Sequence, residues 1–344
     1  MLNNNGKSGA PAIAGAAIVL AIVIIFLYYI ASTPSGLSYI LNPPENLTLT
    51  EILAIAFVLG ILHGITPDEH TWPITFSYAV GSYSTKGGMK SGFAFSTGFT
   101  IQRAFLTTIG FLGLAAIYKQ YNLDGPVYML VGIAMAVVGA YILNKRLYLH
   151  LPLDMLMGSE HHSGRGRTPM HDVRPRVAVV HGLIAGFGFG AYATIITFVL
   201  APRVPSLIYA PLPGVMFGVG TMVMQIVFGA MFANFARIKG ISESQVKSVG
   251  RKTAGRTLLY GGIAFLIIGA LIVAFPWIDQ FAISTGNQIP NLDSIGVATG
   301  LVLLVVGVIG IGSLISGLRE MSGLGRRKNP VPGRRKNAGL RGQA

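Results

Sequence analysis

The amino-acid sequence predicts an all-α, polytopic membrane protein with about eight transmembrane helices, an inverted internal repeat and a second helix broken by proline. Composition, long apolar runs and the placement of basic residues each support this fold class. Of the 344 residues, 52% are hydrophobic and only 11% are charged, whereas about 25% of an average soluble chain is charged. The chain has no cysteine, which excludes a disulfide scaffold and cysteine-ligated metal sites.

The chain contains eight apolar runs that are long enough to cross a bilayer as helices. They cover about 11–32, 51–66 with a continuation to about 82, 91–117, 126–144, 177–201, 212–236, 257–276 and 295–317. We therefore expect a cytoplasmic N-terminus (1–10), a transmembrane transport domain (11–317) and a basic, disordered cytoplasmic tail (318–344). Only Lys7 precedes the first run, which favours a retained helix over a cleaved signal peptide.

The basic residues fall on one side of this arrangement. With the N-terminus in the cytoplasm, 23 of the 26 Lys and Arg residues lie inside, Lys119 and Arg203 lie outside, and Arg103 lies within a helix. This bias predicts a multi-pass protein of the cell membrane with both termini cytoplasmic. It also accounts for the net charge of +14 through orientation and contact with anionic lipid headgroups, so we expect no nucleic-acid partner.

Two segments of the chain resemble each other. The triplet His63-Gly64-Ile65 recurs as His181-Gly182-Leu183, 118 residues later. We therefore predict a first repeat at about 51–144, a cytoplasmic loop at 145–176, a second repeat at about 177–276 and a final helix at 295–317. The first helix of each repeat runs in the opposite direction, as in transporters that carry their site at the repeat interface near the membrane midplane.

The candidate site lies in the second apolar run. His63, Asp68 and His70 are ionisable residues at membrane depth, where such residues are costly and mark function. Pro67 and Pro73 predict a discontinuous helix with halves at about 51–66 and 67–82. Imidazole and carboxylate together suit a divalent metal such as nickel, cobalt or zinc. On a continuous helix the two histidines share a face, and the break lets Asp68 join them.

Structural interpretations of the same residues stay open. Thr66, Pro67 and Glu69 fit a capping box that starts the second half-helix, and Asp68 fits a cap as well as a ligand. Each histidine also fits a neutral, hydrogen-bonded residue of the bundle. His181, in the second repeat, is a fourth metal candidate or a structural polar residue.

Further polar residues extend the list of candidates. Gln102 and Gln225 are amides within helices, and Arg103 either neutralises a carboxylate or extends to the interface. The cytoplasmic loop offers three histidines, His161, His162 and His171, as a second metal site or as part of a solvated basic linker.

The motif His63-Gly-Ile-Thr-Pro-Asp-Glu-His70 resembles the metal signature of the nickel/cobalt transporter superfamily, its uptake permeases and related efflux proteins. The resemblance implies that His63, Asp68 and His70 are metal ligands and that eight helices have both ends inside. Glu69 is an extra residue within the signature. The family's next helix often reads Phe-Ser-Leu-Gly-His-Ser, and this chain has Phe99 in place of that histidine. A later acidic motif has only a faint counterpart at Gly188–Thr194.

These features predict a secondary transporter that moves a divalent transition-metal cation, nickel or cobalt first, with no permanently bound cofactor. The P-loop pattern and the zincin His-Glu-x-x-His pattern are absent from the sequence, so we expect neither ATP hydrolysis in this chain nor an enzyme. A proton-coupled carrier of another small solute and a non-transport subunit of a membrane complex remain alternatives. A homo-oligomer is compatible with all three.

Overall fold

The computed structural model describes residues 36–113, 123–143, 175–235 and 243–328, together with part of 14–28. Helices make up 80% of the structure, which confirms the all-α prediction. The described residues of the predicted first helix, 11–32, are helical. Most of the predicted cytoplasmic loop and residues 329–344 of the tail lie outside the described residues.

The described residues form a series of helices and one two-stranded hairpin. In chain order they are α1 (Gly36–Leu41), α2 (Leu49–Ile65), α3 (Trp72–Gly81), α4 (Thr85–Phe111), α5 (Asp124–Ile142), α6 (Pro175–Ala185), α7 (Ala191–Thr194, continued by π-helical turns at Ile195–Leu200), α8 (Leu212–Phe235), α9 (Glu243–Ala274), β1 (Ala282–Ser284), β2 (Ser294–Gly296), α10 (Val297–Val302, continued by π-helical turns at Leu303–Ile311) and α11 (Gly312–Lys328).

Among the described residues, four helical segments are long and apolar enough to cross a membrane. They are Asp124–Ile142, Leu207–Asn234, Ser244–Ala274 and Val297–Glu320. Leu49–Ile65, Pro175–Ala185 and Ala191–Arg203 are shorter apolar helices. These segments fit a membrane protein.

Glycines bring the helices into close contact. Helix α8 packs against α2 and α4, and α9 packs against α5. At the α4–α6 crossing, a Cβ on Gly98 would lie only 1.9 Å from the carbonyl oxygen of Val179. Only glycine permits such an approach, as is common between membrane helices.

The apolar run at 177–201, which the sequence predicts as one helix, is interrupted. Helix α6 ends at Ala185, residues 186–190 are not helical, and α7 begins at Ala191. Three of these five residues are glycines, which have a low helix propensity. Each predicted repeat therefore contains a broken helix, at 66–71 in the first and at 186–190 in the second.

Candidate metal centre

The first break begins where α2 meets Pro67. Thr66 is the C-cap of α2 with extended backbone angles, φ −73° and ψ 145°, as expected for a residue before proline. Its hydroxyl donates to the carbonyl of Leu62 at 2.9 Å. The predicted break is therefore confirmed, but the next helix starts at Trp72 rather than at residue 67.

Asp68 holds the loop between the two helices. Its Oδ1 accepts hydrogen bonds from the backbone N–H of His70 at 3.1 Å and of Thr71 at 2.9 Å. The capping box proposed for Thr66 and Glu69 is thus wrong, because Thr66 ends α2 and Asp68 is the residue that caps the turn. Capping does not occupy the whole carboxylate, since Oδ2 lies 3.7 Å from Nδ1 of His63.

Three consecutive side chains of this loop converge. One candidate ligand atom from each of Asp68, Glu69 and His70 lies within 4.8 Å of the others, and all three are buried. Nδ1 of His70 is 3.0 Å from Oε1 of Glu69, and that oxygen accepts the hydroxyl of Tyr128, also at 3.0 Å. Two carboxylates and an imidazole are a donor set for a divalent transition metal. Glu69, which the sequence favours as a helix cap, is part of this group.

His63 lies beside this group rather than in it. Because α2 ends at Ile65, His63 and His70 do not share one continuous helix, and the shared-face argument fails. Asp68 connects them instead, with one oxygen near each residue. The imidazole of His63 stacks on Phe99, with ring centroids 5.4 Å apart.

One ring nitrogen of His63 and one of His70 have no hydrogen-bond partner among the described residues. In both residues this nitrogen is Nε2, and it is buried. Buried polar atoms are nearly always satisfied, so an exception calls for an explanation. A ligand at these nitrogens would provide one.

The second break packs directly on the first. A Cβ on Gly188 would lie 2.6 Å from Nδ1 of His70. The carbonyl of Gly188 accepts a hydrogen bond from Nη2 of Arg103 at 2.7 Å, and this guanidinium lies 4.7 Å above the ring of Phe99. Arg103 is only 2% exposed, which excludes the interpretation that it extends to the interface.

The other polar candidates are buried elsewhere in the bundle. Gln225 accepts the hydroxyl of Thr75, and Nδ1 of His181 lies 2.6 Å from the hydroxyl of Tyr78. Gln102 is buried against Gly186 in the second break. The structure does not bring His181 into the group formed by Asp68, Glu69 and His70. The loop candidates His161, His162 and His171 lie outside the described residues.

The cluster lies near the N-terminal end of α5. Tyr128, which donates to Glu69, is only four residues from the start of α5, or about 6 Å along the axis. Tyrosine side chains in a helix lean further towards its N-terminus. Asp279, in the connection after α9, hydrogen-bonds to Asp124 at that same end of α5, and burial raises the pKa of the Asp279 carboxyl.

Sequence reasoning missed Tyr128, and it noted Gly188 only as a small residue of the second predicted repeat, not as a neighbour of His70. For Tyr128 the sequence gives no signal, because its role depends on how α5 packs. For Gly188 a signal exists: it follows His70 by 118 residues, the same offset that relates His63 to His181. Applying the repeat offset to the whole motif would have placed the second break opposite the first.

No family model, curated protein or solved structure matches the chain in sequence or fold comparisons.

Proposed function

We propose that the chain is a secondary transporter of the cell membrane that moves a divalent transition-metal cation, such as nickel or cobalt. The observation that carries this proposal is the buried convergence of Asp68, Glu69 and His70 at a helix break. Buried ionisable residues within a membrane protein are functional by default, and broken helices form the sites of many transporters. The motif's resemblance to the nickel/cobalt superfamily points to the same cargo.

The arrangement of helices supports a chain of eight crossings with both termini in the cytoplasm. Four segments are long enough to span by themselves. The pairs α2–α3 and α6–α7 each make one crossing that is interrupted by a break. Helix α4, with 27 residues, and the first predicted helix at 11–32 complete the count.

Protons compete with metal for this ligand set. Neutral imidazole and ionised carboxylates bind a cation, and their protonation releases it. A transporter of this design therefore exchanges metal for protons as the two halves of the bundle alternate between the two faces of the membrane.

The test is a calorimetric titration of the purified full-length protein with Ni²⁺, Co²⁺, Zn²⁺ and Mn²⁺, followed by flux in vesicles. We expect His70→Ala to lose binding. His181→Ala decides whether the second repeat supplies a ligand; since His181 faces Tyr78, we expect binding to persist. A His161→Ala/His162→Ala variant reports on the cytoplasmic loop. Unchanged binding in His70→Ala would move the site away from the cluster.

A second candidate, a proton-coupled carrier of another solute, is favoured by the hydrogen-bonded series Tyr128, Glu69 and His70. Such a series passes protons without holding a metal. It predicts flux that depends on a proton gradient, together with no heat of metal binding in the same titration.

A further inference from the structure

The connection between α9 and α10, residues 275–296, covers the first break. The amide of Asn291 donates to the hydroxyl of Thr66 at 3.3 Å. The carbonyl of Pro290 accepts the hydroxyl of Tyr192, on α7, at 3.0 Å. The two adjacent residues thus attach this loop to both broken helices.

Both attachment points adjoin the metal centre. Thr66 is two residues from Asp68, and its hydroxyl also holds the last turn of α2. The ring of Tyr192 meets the imidazole of His63 edge-on, with centroids 5.8 Å apart. Movement of the 275–296 loop is therefore transmitted to the residues that flank the cluster.

The loop is organised by its own contacts. Strands β1 and β2 pair within it, the N–H of Thr285 donates to the carbonyl of Asp293, and the N–H of Ile289 donates to the side chain of Asn287. Residues 281–288 are exposed. A preformed loop with few attachments to the bundle is able to move as one body, because its internal hydrogen bonds are kept.

Beyond the cluster, along α3, the buried pairs Thr75–Gln225 and Tyr78–His181 join α3 to α8 and to α6. On the loop side, the cluster is about one helical turn from the end of α5. A route from the cluster to solution beneath the 275–296 loop avoids these buried pairs.

We propose that the 275–296 loop is the gate of the metal centre on this face of the protein, and that Asn291 and the Tyr192–Pro290 contact form its latch. The loop closes the site in the structure described here. Breaking the latch exposes the first break to solution while the buried pairs along α3 remain in place. The inference that this loop is a gate depends on the proposed function only for the identity of the transported ion.

The absence of cysteine makes the gate directly testable. In the full-length protein, Thr66→Cys introduces a single thiol beneath the loop, and its rate of modification by a water-soluble maleimide measures access. We expect Tyr192→Phe, which removes the hydroxyl that donates to Pro290, to accelerate labelling in the Thr66→Cys background. Gln288→Ala, an exposed amide of the same loop, is the matched control and leaves the rate unchanged. Equal rates in all three proteins would overturn the gate, whatever the cargo is.

A second experiment joins the gate to transport. In a Thr66→Cys/Asn291→Cys protein, a short bifunctional thiol reagent cleavable by reductant ties the loop down, because the two side chains meet only at their tips. We expect loss of Ni²⁺ or Co²⁺ flux after cross-linking and its return after reduction, with each single variant insensitive to the reagent. Undiminished flux through cross-linked protein would overturn the gate. A wild type without metal binding would remove the proposed cargo and leave the labelling result to decide on the gate.

Discussion

Gly188 offers the sharpest test of the metal centre, because a single methyl group there acts on one ligand. The Cβ of Gly188→Ala would lie 2.6 Å from Nδ1 and 2.8 Å from Cε1 of His70. An ordinary contact of this kind is about 3.4–4.0 Å, so the imidazole must move by about 1 Å or more. Metal–ligand distances tolerate only about 0.2 Å. We therefore expect the substitution to displace His70 from the position it needs beside Glu69.

The size of the effect follows from the overpacking. Extra methyl groups in a well-packed site cost about 1–3 kcal/mol. To bind metal, the His70 imidazole must move back to its original position and contact the new methyl group too closely. The energy of this close contact then reduces the metal affinity roughly 5- to 150-fold. Calorimetric titration of the purified variant with the metal that the wild type binds measures this change directly.

The chain supplies a matched control two residues away. A Cβ on Gly190 meets nothing within 4 Å, and its backbone angles, φ −76° and ψ 179°, suit any residue. Gly190→Ala should therefore bind metal like the wild type. Wild-type affinity in a folded Gly188→Ala protein, or equal weakening in both variants, would refute the placement of His70 in the site.

Three further predictions concern residues around the cluster. Phe99→His places a second imidazole on the ring of His63, and we expect tighter Ni²⁺ or Co²⁺ binding by titration; unchanged affinity would show that position 99 lies outside the coordination sphere. Tyr128→Phe removes the hydroxyl donor to the Glu69 carboxylate. One hydrogen bond to a charged group is worth about 1.5–3 kcal/mol, so metal affinity should change by no more than roughly 150-fold. The hydrogen bond between Asp279 and Asp124 needs one shared proton. Burial, the larger effect, raises the pKa of Asp279, whereas this bond lowers it, so Asp279 is the acceptor. The stabilising contact is present at low pH, where Asp124 holds the proton, and is lost as the pH rises and both carboxyls ionise. After correction for the base catalysis that all amides share, hydrogen exchange in residues 275–296 should increase with pH, and Asp279→Asn should abolish that remaining increase.

The fold class was predictable from the sequence because it follows from composition and hydrophobic runs. The break in the first repeat was also predictable, since Pro67 removes a backbone donor and constrains Thr66. The restart at Trp72 was not, because Asp68 accepts two backbone N–H groups and extends the turn beyond Pro67. Capping residues are recognisable in a sequence, but which of several neighbouring candidates caps depends on the geometry of the loop.

The membership of the site was only partly predictable for a similar reason. Asp68 and His70 lie in the cluster as the motif suggests, whereas Glu69 replaces His63 in the closest group. Helical periodicity places residues only on a continuous helix, and α2 ends two residues after His63. Contacts such as Tyr128 with Glu69 depend on the packing of distant helices, which no local pattern in one sequence encodes.

Charged side chains provide hydrogen-bond partners for backbone groups in both breaks. Non-helical backbone within a bundle leaves polar groups that need partners where no water is present. In the first break, the Asp68 carboxylate accepts two of these N–H groups; in the second, Arg103 of the first repeat donates to the carbonyl of Gly188. Gly188 in turn leaves room for His70. Because the first predicted repeat supplies the charged side chains and the second supplies a bare backbone, the candidate site is complete only when the two are packed together. Sliding or tilting of one against the other would therefore change the surroundings of His70 directly, which is the coupling that the proposed alternating access requires.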